Sequence, residues 1–297
     1  MHRIHRSLLN KQSRLLLGFL LLYRVMCRNA QYLIKRPSGI LNKSLGVIVI
    51  GNEILRGDTV DTNFAFVAKK APSYGLVLKK VSIIPDVTAK IAAEVRNFST
   101  SFDVVVTSGG IGSTHDDCTF EAVAEAFNDS LRLHPSLLDC IATLYNCKAK
   151  DIPPDDSRLR LARVPSTSKL IYGGDPLTGQ PSFYPVVRIR NVFILPGVPK
   201  FFRQGFGIIK PHICDPNVKF FGKNFYCTCE ETQLATRLSE FAAKHKENLL
   251  IGSYPVTNNR YYKVRISLES QDPRVLEEAS EAFAELLSGE LVSYDPD

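Results

Sequence analysis

Gly46-Val47-Ile48-Val49-Ile50, running directly into Gly51-Asn52-Glu53-Ile54-Leu55-Arg56-Gly57-Asp58-Thr59-Val60-Asp61-Thr62-Asn63, is the stretch from which the fold class follows. The first part is a short, unbroken apolar run with no alternation. That pattern suits a strand buried on both faces, which means a parallel sheet covered by helices on either side. Val60, Phe64, Val67 and Ala68 then recur at helical spacing and predict a helix that stops near Gly75. Leu76 to Ile84 reads as the second strand, and Asp86 is placed to cap a helix whose inner face is Ile91, Val95 and Phe98. Asp103 to Thr107 is a third strand. A glycine-rich loop follows, then one helix carrying Phe120, Val123, Ala124 and Phe127 and another carrying Leu137, Leu138, Ile141 and Leu144. Strands alternating with helices imply right-handed crossovers and an α/β fold of three layers around a parallel sheet.

Further along, residues 150–185 turn to Pro, Gly, Asp and Ser and read as a long loop or lid over the sheet edge. Pro185 to Leu195 returns to strand, and Leu195-Pro196-Gly197-Val198-Pro199 turns the chain into an apolar helix. Beyond Pro216 the order is strand (Phe220 to Cys229), helix (Leu234, Leu238, Phe241), strand (Leu249 to Tyr254), strand (Tyr261 to Leu268), helix (Leu276, Ala279, Phe283). This βαββα set predicts a smaller α+β module. The expected organisation is a basic leader over 1–44, an α/β domain over 45–215 and the α+β module over 216–297. No internal repeat or low-complexity tract is visible.

Nine of the 37 Lys and Arg residues fall before residue 47, where there is no acid, leaving 28 basic against 30 acidic residues in the remainder. The net charge of +7 is therefore a property of the leader, and a basic stripe for a nucleic-acid backbone is not supported. The apolar run from Leu15 to Tyr23 is too short for a bilayer, which needs about 20 residues, so no membrane span is expected. An Arg-rich, acid-free leader predicts import into the mitochondrial matrix. Secretion is the rival reading, but no small-x-small cleavage site follows the run; a start at Met26 would leave the protein cytoplasmic. Seven cysteines without a C-x-x-C pair argue for reduced thiols, and Cys227 and Cys229 read as one buried face of a strand rather than as zinc ligands.

Ligands of parallel α/β sheets bind beyond the carboxyl ends of the strands, so the three loops there belong together. The first is Gly51 to Asn63, the second carries Asp86, and the third is Ser108-Gly109-Gly110-Ile111-Gly112-Ser113-Thr114-His115-Asp116-Asp117. Glycines that turn successive N–H groups inward, with a helix N-terminus behind them, suit a phosphate. Carboxylates and a phosphate in one crevice repel each other unless a hard cation lies between them, and Mg²⁺ bridging one or two carboxylates to phosphate oxygens is the ordinary solution. The pattern points to metal-assisted chemistry at a phosphate ester or pyrophosphate. Plainer readings stand beside it: Asp86, Asp116 and Asp117 as helix caps, Glu53 as a solvated side chain, His115 as a loop residue. The third loop also has a likeness to the SGGxDS loop of ATP pyrophosphatases, but Gly112 stands where that motif needs Asp.

The segments GNEILRGDTVDTN, TSGGIGSTHDDCTFEAVAEAF, YPVVRIRNVFILPGVP and IGSYP, in this order, resemble the molybdopterin-binding-like module of eukaryotic FAD synthase and the related CinA N-terminal domain. The resemblance runs from about Gly46 to the C-terminus. It implies a MoaB/Mog-like fold, with Glu53, Asp58, Asp61, Asn63, Asp86, Thr114, Asp116, Asp117 and Thr119 around a metal and nucleotide phosphates. Asp117, Asp86 and Asp116 are the expected catalytic residues, and Asp86, Asp116, Asp117 and Glu53 the expected ligands of Mg²⁺, Mn²⁺ or Co²⁺. Gly51, Asn52, Glu53, Asp61, Asn63, Ser108, Gly109, Gly110, Gly112, Ser113, Thr114, Thr119, Pro196 and Gly197 are expected to line the nucleotide site. Ser113 replaces the family's usual Pro, which loosens the loop and leaves the acids in place. The AMP-transferring module of FAD synthase does not follow in this chain. The implied activity is therefore metal-dependent hydrolysis of FAD, or a related dinucleotide, to FMN and AMP, by a dimer or trimer. A non-catalytic nucleotide-binding role in FAD synthesis and molybdopterin adenylylation are the alternatives.

Overall fold

The computed structural model describes residues 43–174, 178–215 and 218–294. The leader, and with it the targeting expectation, lies outside the described residues except for Lys43 and Ser44, which already belong to the first strand. The chain runs β1 (Lys43–Ile50), α1 (Asn52–Leu55), α2 (Asn63–Lys70), β2 (Leu76–Ile84), α3 (Thr88–Ser101), β3 (Val104–Ser108), α4 (Thr119–Ala126), β4 (Leu131–Leu133) and α5 (Pro135–Leu144). It continues with β5 (Arg163–Pro165), β6 (Lys169–Ile171), β7 (Val186–Ile189), β8 (Val192–Leu195), α6 (Pro199–Ile208) and α7 (Lys210–Ile213).

Six strands form one sheet in the order β2-β1-β3-β8-β7-β6. β1 is parallel to both β2 and β3, and β3 to β8, while β7 and β6 are added antiparallel at the far edge. The strand period sorts each apolar run onto two cores. Leu45, Val47 and Val49 of β1, with Val104 and Val106 of β3 and Phe193 and Leu195 of β8, pack against α2 and α6. Ile48, Ile50, Val105, Val192 and Ile194 face Ile91, Val95 and Phe98 of α3 and Phe120 and Val123 of α4. Burial on both faces is why these strands carry no polar alternation. At Gly46 the missing side chain makes room for the rings of Phe98 and Phe102, to which an added Cβ would come within 2.6 and 2.5 Å.

The structure corrects several sequence readings. Val60 is not on a helix: it lies in the loop and is 83% exposed, and α2 begins only at Asn63, where the Asp61 carboxylate accepts the Phe64 N–H at 2.9 Å. Ala68 and Leu144 face solvent rather than the core. Pro185 to Leu195 is not one strand but the hairpin β7–β8, broken at Arg190, whose φ of 52° permits the tight turn. The supposed lid is largely ordered. It holds short 3₁₀ turns at Ala149–Asp151 and Ser157–Ala162, then β5 and β6, because Leu159, Ala162 and Val164 supply buried apolar anchors that its polar composition obscures.

The C-terminal elements are β9 (Phe221–Cys227), α8 (Glu231–Lys244), β10 (Leu250–Pro255), β11 (Val264–Ser270), α9 (Pro273–Leu286) and β12 (Leu291–Val292). The predicted βαββα order is present, with β12 added beside β9 to give a second sheet ordered β10-β11-β9-β12. Phe225, Cys227, Val264, Ile266 and Leu268 form its core with Leu234, Phe241 and Phe283 of the two helices. Cys229 lies past the end of β9 and donates its S–H to Glu290 at 3.5 Å, so only Cys227 is a strand-core residue. Among the described residues no cysteine is in a disulfide, and no helix is long and apolar enough to cross a membrane.

Candidate functional site

β1 leads outward to β2 and β3 leads the opposite way to β8, so the chain diverges between β1 and β3. A crevice opens at the carboxyl ends of strands at such a point, because the following loops turn away from each other. Main-chain hydrogen bonds draw four loops to this edge. The Gly51 N–H donates to the Ile84 carbonyl at 3.1 Å, and the Gly109 N–H to the Leu195 carbonyl at 3.1 Å. Asn63, only 2% exposed, donates through Nδ2 to Ser108 Oγ at 2.9 Å and to the Gly197 carbonyl at 2.8 Å. Its Oδ1 is buried without a partner. An orphaned acceptor at this position is costly unless a ligand donor reaches it.

The glycine loop has the geometry that its composition implies. Gly109 and Gly110 take φ values of 110° and 65°, where a side chain is disfavoured. A Cβ on Gly109 would collide with the Ile50 carbonyl oxygen, and one on Gly110 with the Thr119 hydroxyl. Thr119, fully buried at the start of α4, donates its hydroxyl to the Gly109 carbonyl at 2.9 Å, and its N–H goes to the Gly110 carbonyl at 3.0 Å. The loop is thus locked to both neighbouring elements rather than merely permitted to bend.

The acids do more than cap helices. α3 starts from Val87 with no side-chain cap, and Asp86 instead accepts the Asn52 N–H at 2.7 Å, joining the loops after β1 and β2. α4 likewise has no side-chain cap, and Asp117 folds back to accept the Thr114 N–H at 2.8 Å and the Thr114 hydroxyl. That hydroxyl also reaches Asp116 at 2.6 Å. Burial holds the Asp86 carboxyl above its ordinary range against the pull of the Asn52 N–H, and the negative charges of Glu53 and Asp116 push it further up. Acids of all three loops therefore feel one another. Asp116 is held below the usual range, chiefly by the Thr114 hydroxyl, with help from His115 and Arg160. The Glu53 carboxylate folds over Gly51, close enough that a Cβ there would lie 2.6 Å from Oε1. Gly112 faces the Asp117 carboxylate in the same way.

Other expected site residues have different duties. Asp58 is paired with Arg56 at 2.8 Å on the exposed surface, and Asp61, one residue before the Thr62 cap position, accepts the Phe64 N–H of α2. His115 is exposed, Ser113 and Pro196 are half-buried, and Gly197 contributes its carbonyl to Asn63. Among the described residues no group of three or more His, Cys, Asp or Glu side chains is gathered as a ready metal cage. The residues still fit a Mg²⁺-type ion, which is held by one or two carboxylates with substrate phosphates and water completing the shell. Such an ion would offset the negative charge that burial and the neighbouring Glu53 and Asp116 disfavour on Asp86. Sequence reasoning missed Arg160, which donates Nη2 to the Asp117 carbonyl at 3.0 Å and lies 3.4 Å from Glu121 Oε1. It comes from a stretch with no motif, 43 positions away, so no local signal could have found it.

This is an α/β domain whose sheet divergence carries a locked glycine loop, with Glu53 and Asp116 acting on Asp86 beside it. The chain belongs to the family described as "Probable molybdopterin binding domain", whose model matches residues 46–214. Residues 219–296 match the model described as "FAD synthase, middle domain". A curated relative named "Probable FAD synthase" from Caenorhabditis briggsae is 34% identical over 85% of this chain and 51% of its own length. Its counterpart of the same name from Caenorhabditis elegans is 33% identical with the same coverage. The chain thus spans about half the length of these relatives. The solved structure described as the protein CinA with unknown function, from Thermoplasma acidophilum, is 31% identical and superposes with a TM-score of 0.51 over 58% of this chain and 98% of that one.

Proposed function

We propose that this protein hydrolyses the pyrophosphate of FAD, or of a closely similar dinucleotide, to FMN and AMP with a divalent cation of the Mg²⁺, Mn²⁺ or Co²⁺ type. The observation that carries the reading is the locked turn at Gly109 and Gly110, with Asp86 tied to the Asn52 N–H and Asp117 to the Thr114 N–H at the same sheet edge. The names of the relatives supply the flavin nucleotide as the substrate class. When bound, the cation would offset the carboxylate and phosphate charges and acidify water.

The chain's own residues supply the rest. Main-chain N–H groups of residues 110–112, with the positive end of α4 behind them, would hold a phosphate, and Asn63 Oδ1 would accept a hydrogen bond from a ligand donor. Asp86, fixed by Asn52, and Asp116, fixed by Thr114, would hold the cation with phosphate and water oxygens, and Asp117 and Glu53 stand beside them. The water oxygen bonds to one phosphorus, the bond from that phosphorus to the bridging oxygen breaks, and the bridging oxygen leaves on the other phosphate. Asp117, whose carboxylate is fixed by the Thr114 N–H at the rim of the glycine loop, would accept the water's proton. Incubation of the purified protein with FAD and each cation should release FMN and AMP in equal amounts, and Asp117→Asn should bring release below detection. FAD bound calorimetrically without any release would replace this reading with a non-catalytic binding role. Light scattering should show a dimer or trimer.

A further inference from the structure

The 3₁₀ turn Ser157–Ala162 sits in the stretch whose composition suggested a lid, yet it is tied down at both ends. Asp156 accepts the Arg158 N–H at 2.9 Å, and Leu159 and Ala162 are 3% and 0% exposed. This anchoring presents the Arg160 side chain, 31% exposed, to the back of the acidic turn. One guanidinium nitrogen donates to the Asp117 carbonyl and lies beside Glu121 in the first turn of α4, while Nε is buried with no hydrogen-bond partner. A half-buried cation with an unsatisfied donor costs stability. The same nitrogen that meets Glu121 at 3.4 Å also reaches a main-chain carbonyl of the turn at the shorter distance of 3.0 Å, which calls for a role.

We propose that Arg160 is a positioning residue for the Thr114–Asp117 turn, holding the Asp117 peptide so that the Asp116 and Asp117 carboxylates face the crevice. The reach is short and direct. The Asp117 carbonyl fixed by Arg160 belongs to the residue whose carboxylate is folded back onto Thr114. Within the turn the side chains of Asp116 and Asp117 are tied to Thr114, but its main-chain closure, the Asp117 N–H on the Thr114 carbonyl, is long at 3.3 Å, and Arg160 adds a second hold on that peptide. Misplacement of a catalytic group by about an ångström costs roughly a hundredfold in rate, so the tether would act on turnover rather than on nucleotide binding.

The inference rests on the hydrolase reading for its activity arm only, and the test separates the two. Arg160→Met and Arg160→Lys are made in the full chain. FAD turnover with Mn²⁺, affinity for Mn²⁺ alone, and amide hydrogen exchange at Thr114 and at Val106 in the buried strand are measured for each. Expected for Arg160→Met are a 10- to 100-fold fall in kcat with KM within about threefold, weaker Mn²⁺ binding, and faster exchange at Thr114 but not at Val106. Arg160→Lys, which keeps a charged donor, should recover part of each change. Unchanged exchange and Mn²⁺ affinity in Arg160→Met would overturn the proposal. So would faster exchange at Val106 to the same degree as at Thr114, which would mean general loosening. If Arg160→Met does not fold, Arg160→Ala is measured in its place, and wild-type exchange and Mn²⁺ affinity in it refute the role. If the wild type releases no FMN from FAD, the hydrolase reading fails, and exchange and Mn²⁺ affinity still decide Arg160.

Discussion

Gly109→Ala tests whether the glycine loop is locked as tightly as its geometry implies. At φ 110° a side chain costs about 1–3 kcal/mol in backbone strain. The new Cβ would also sit on the Ile50 carbonyl oxygen, a main-chain atom of a strand paired to β3 through Val49 and Ser108. Relief requires β1 and the loop to separate, which jeopardises the Gly109 N–H bond to Leu195 and the Thr119 hydroxyl bond to Gly109, each worth about 1 kcal/mol. The sum is about 3–5 kcal/mol, and at about 2–4 °C per kcal/mol the melting temperature should fall by roughly 6–20 °C. Gly57→Ala is the matched control. Gly57 also has positive φ, at 76°, but nothing lies within 4 Å of its added Cβ, so only about 1–2 kcal/mol of strain is expected. Scanning calorimetry on both variants decides the matter. Equal melting temperatures would show that the loop yields freely and that the collision with Ile50 has no energetic weight.

Thr119→Val keeps the shape of a buried side chain while deleting its bond to Gly109, and should cost about 1–2 kcal/mol in urea denaturation. Asp86→Asn should raise the melting temperature at pH 7 while weakening Mn²⁺ binding, since it removes a charge that burial disfavours and that Glu53 and Asp116 repel. A carboxyl raised in the folded state contributes stability below the ordinary carboxylate value, and that contribution is lost as pH rises through the folded value. The advantage of Asp86→Asn should therefore shrink on acidification to about pH 4, and a variant less stable at pH 7 would contradict the assignment. Burial pushes the Cys227 thiol up to about 11, with Cys229 and Glu290 adding to the rise. Its contribution to stability should be intact below the ordinary thiol value and fade as pH rises toward about 11. Peptide mapping after native alkylation at pH 8 should find Cys227 unlabelled.

Much of the fold was legible because the strongest signals are also the physically obligatory ones. A continuous apolar run such as Gly46 to Ile50 has to be buried on both faces, and Ile91, Val95 and Phe98 have only one common face on a helix. Element ends were less legible. Val60 keeps helical spacing with Phe64, yet Asp61 starts the helix after it. Arg190 breaks an apolar run without a Gly or Pro to announce the turn.

For the crevice, sequence by itself supplied the cast: glycines and acids at the ends of three successive strands, where parallel topology brings loops to a single edge. Tertiary structure alone decided their duties. Sequence left Asp86 and Asp117 open between site acids and helix caps, and the fold put the Asn52 N–H and Thr114 within their reach, while Asp58 was drawn off to Arg56. Arg160, from a segment without a motif, met the Asp117 carbonyl across 43 positions of chain. The physical reason is that burial and periodicity act on neighbours along the chain and leave a local imprint. A hydrogen bond or a charge pair depends on which groups packing happens to leave within about 3 Å of each other, and that distance is set by the whole fold.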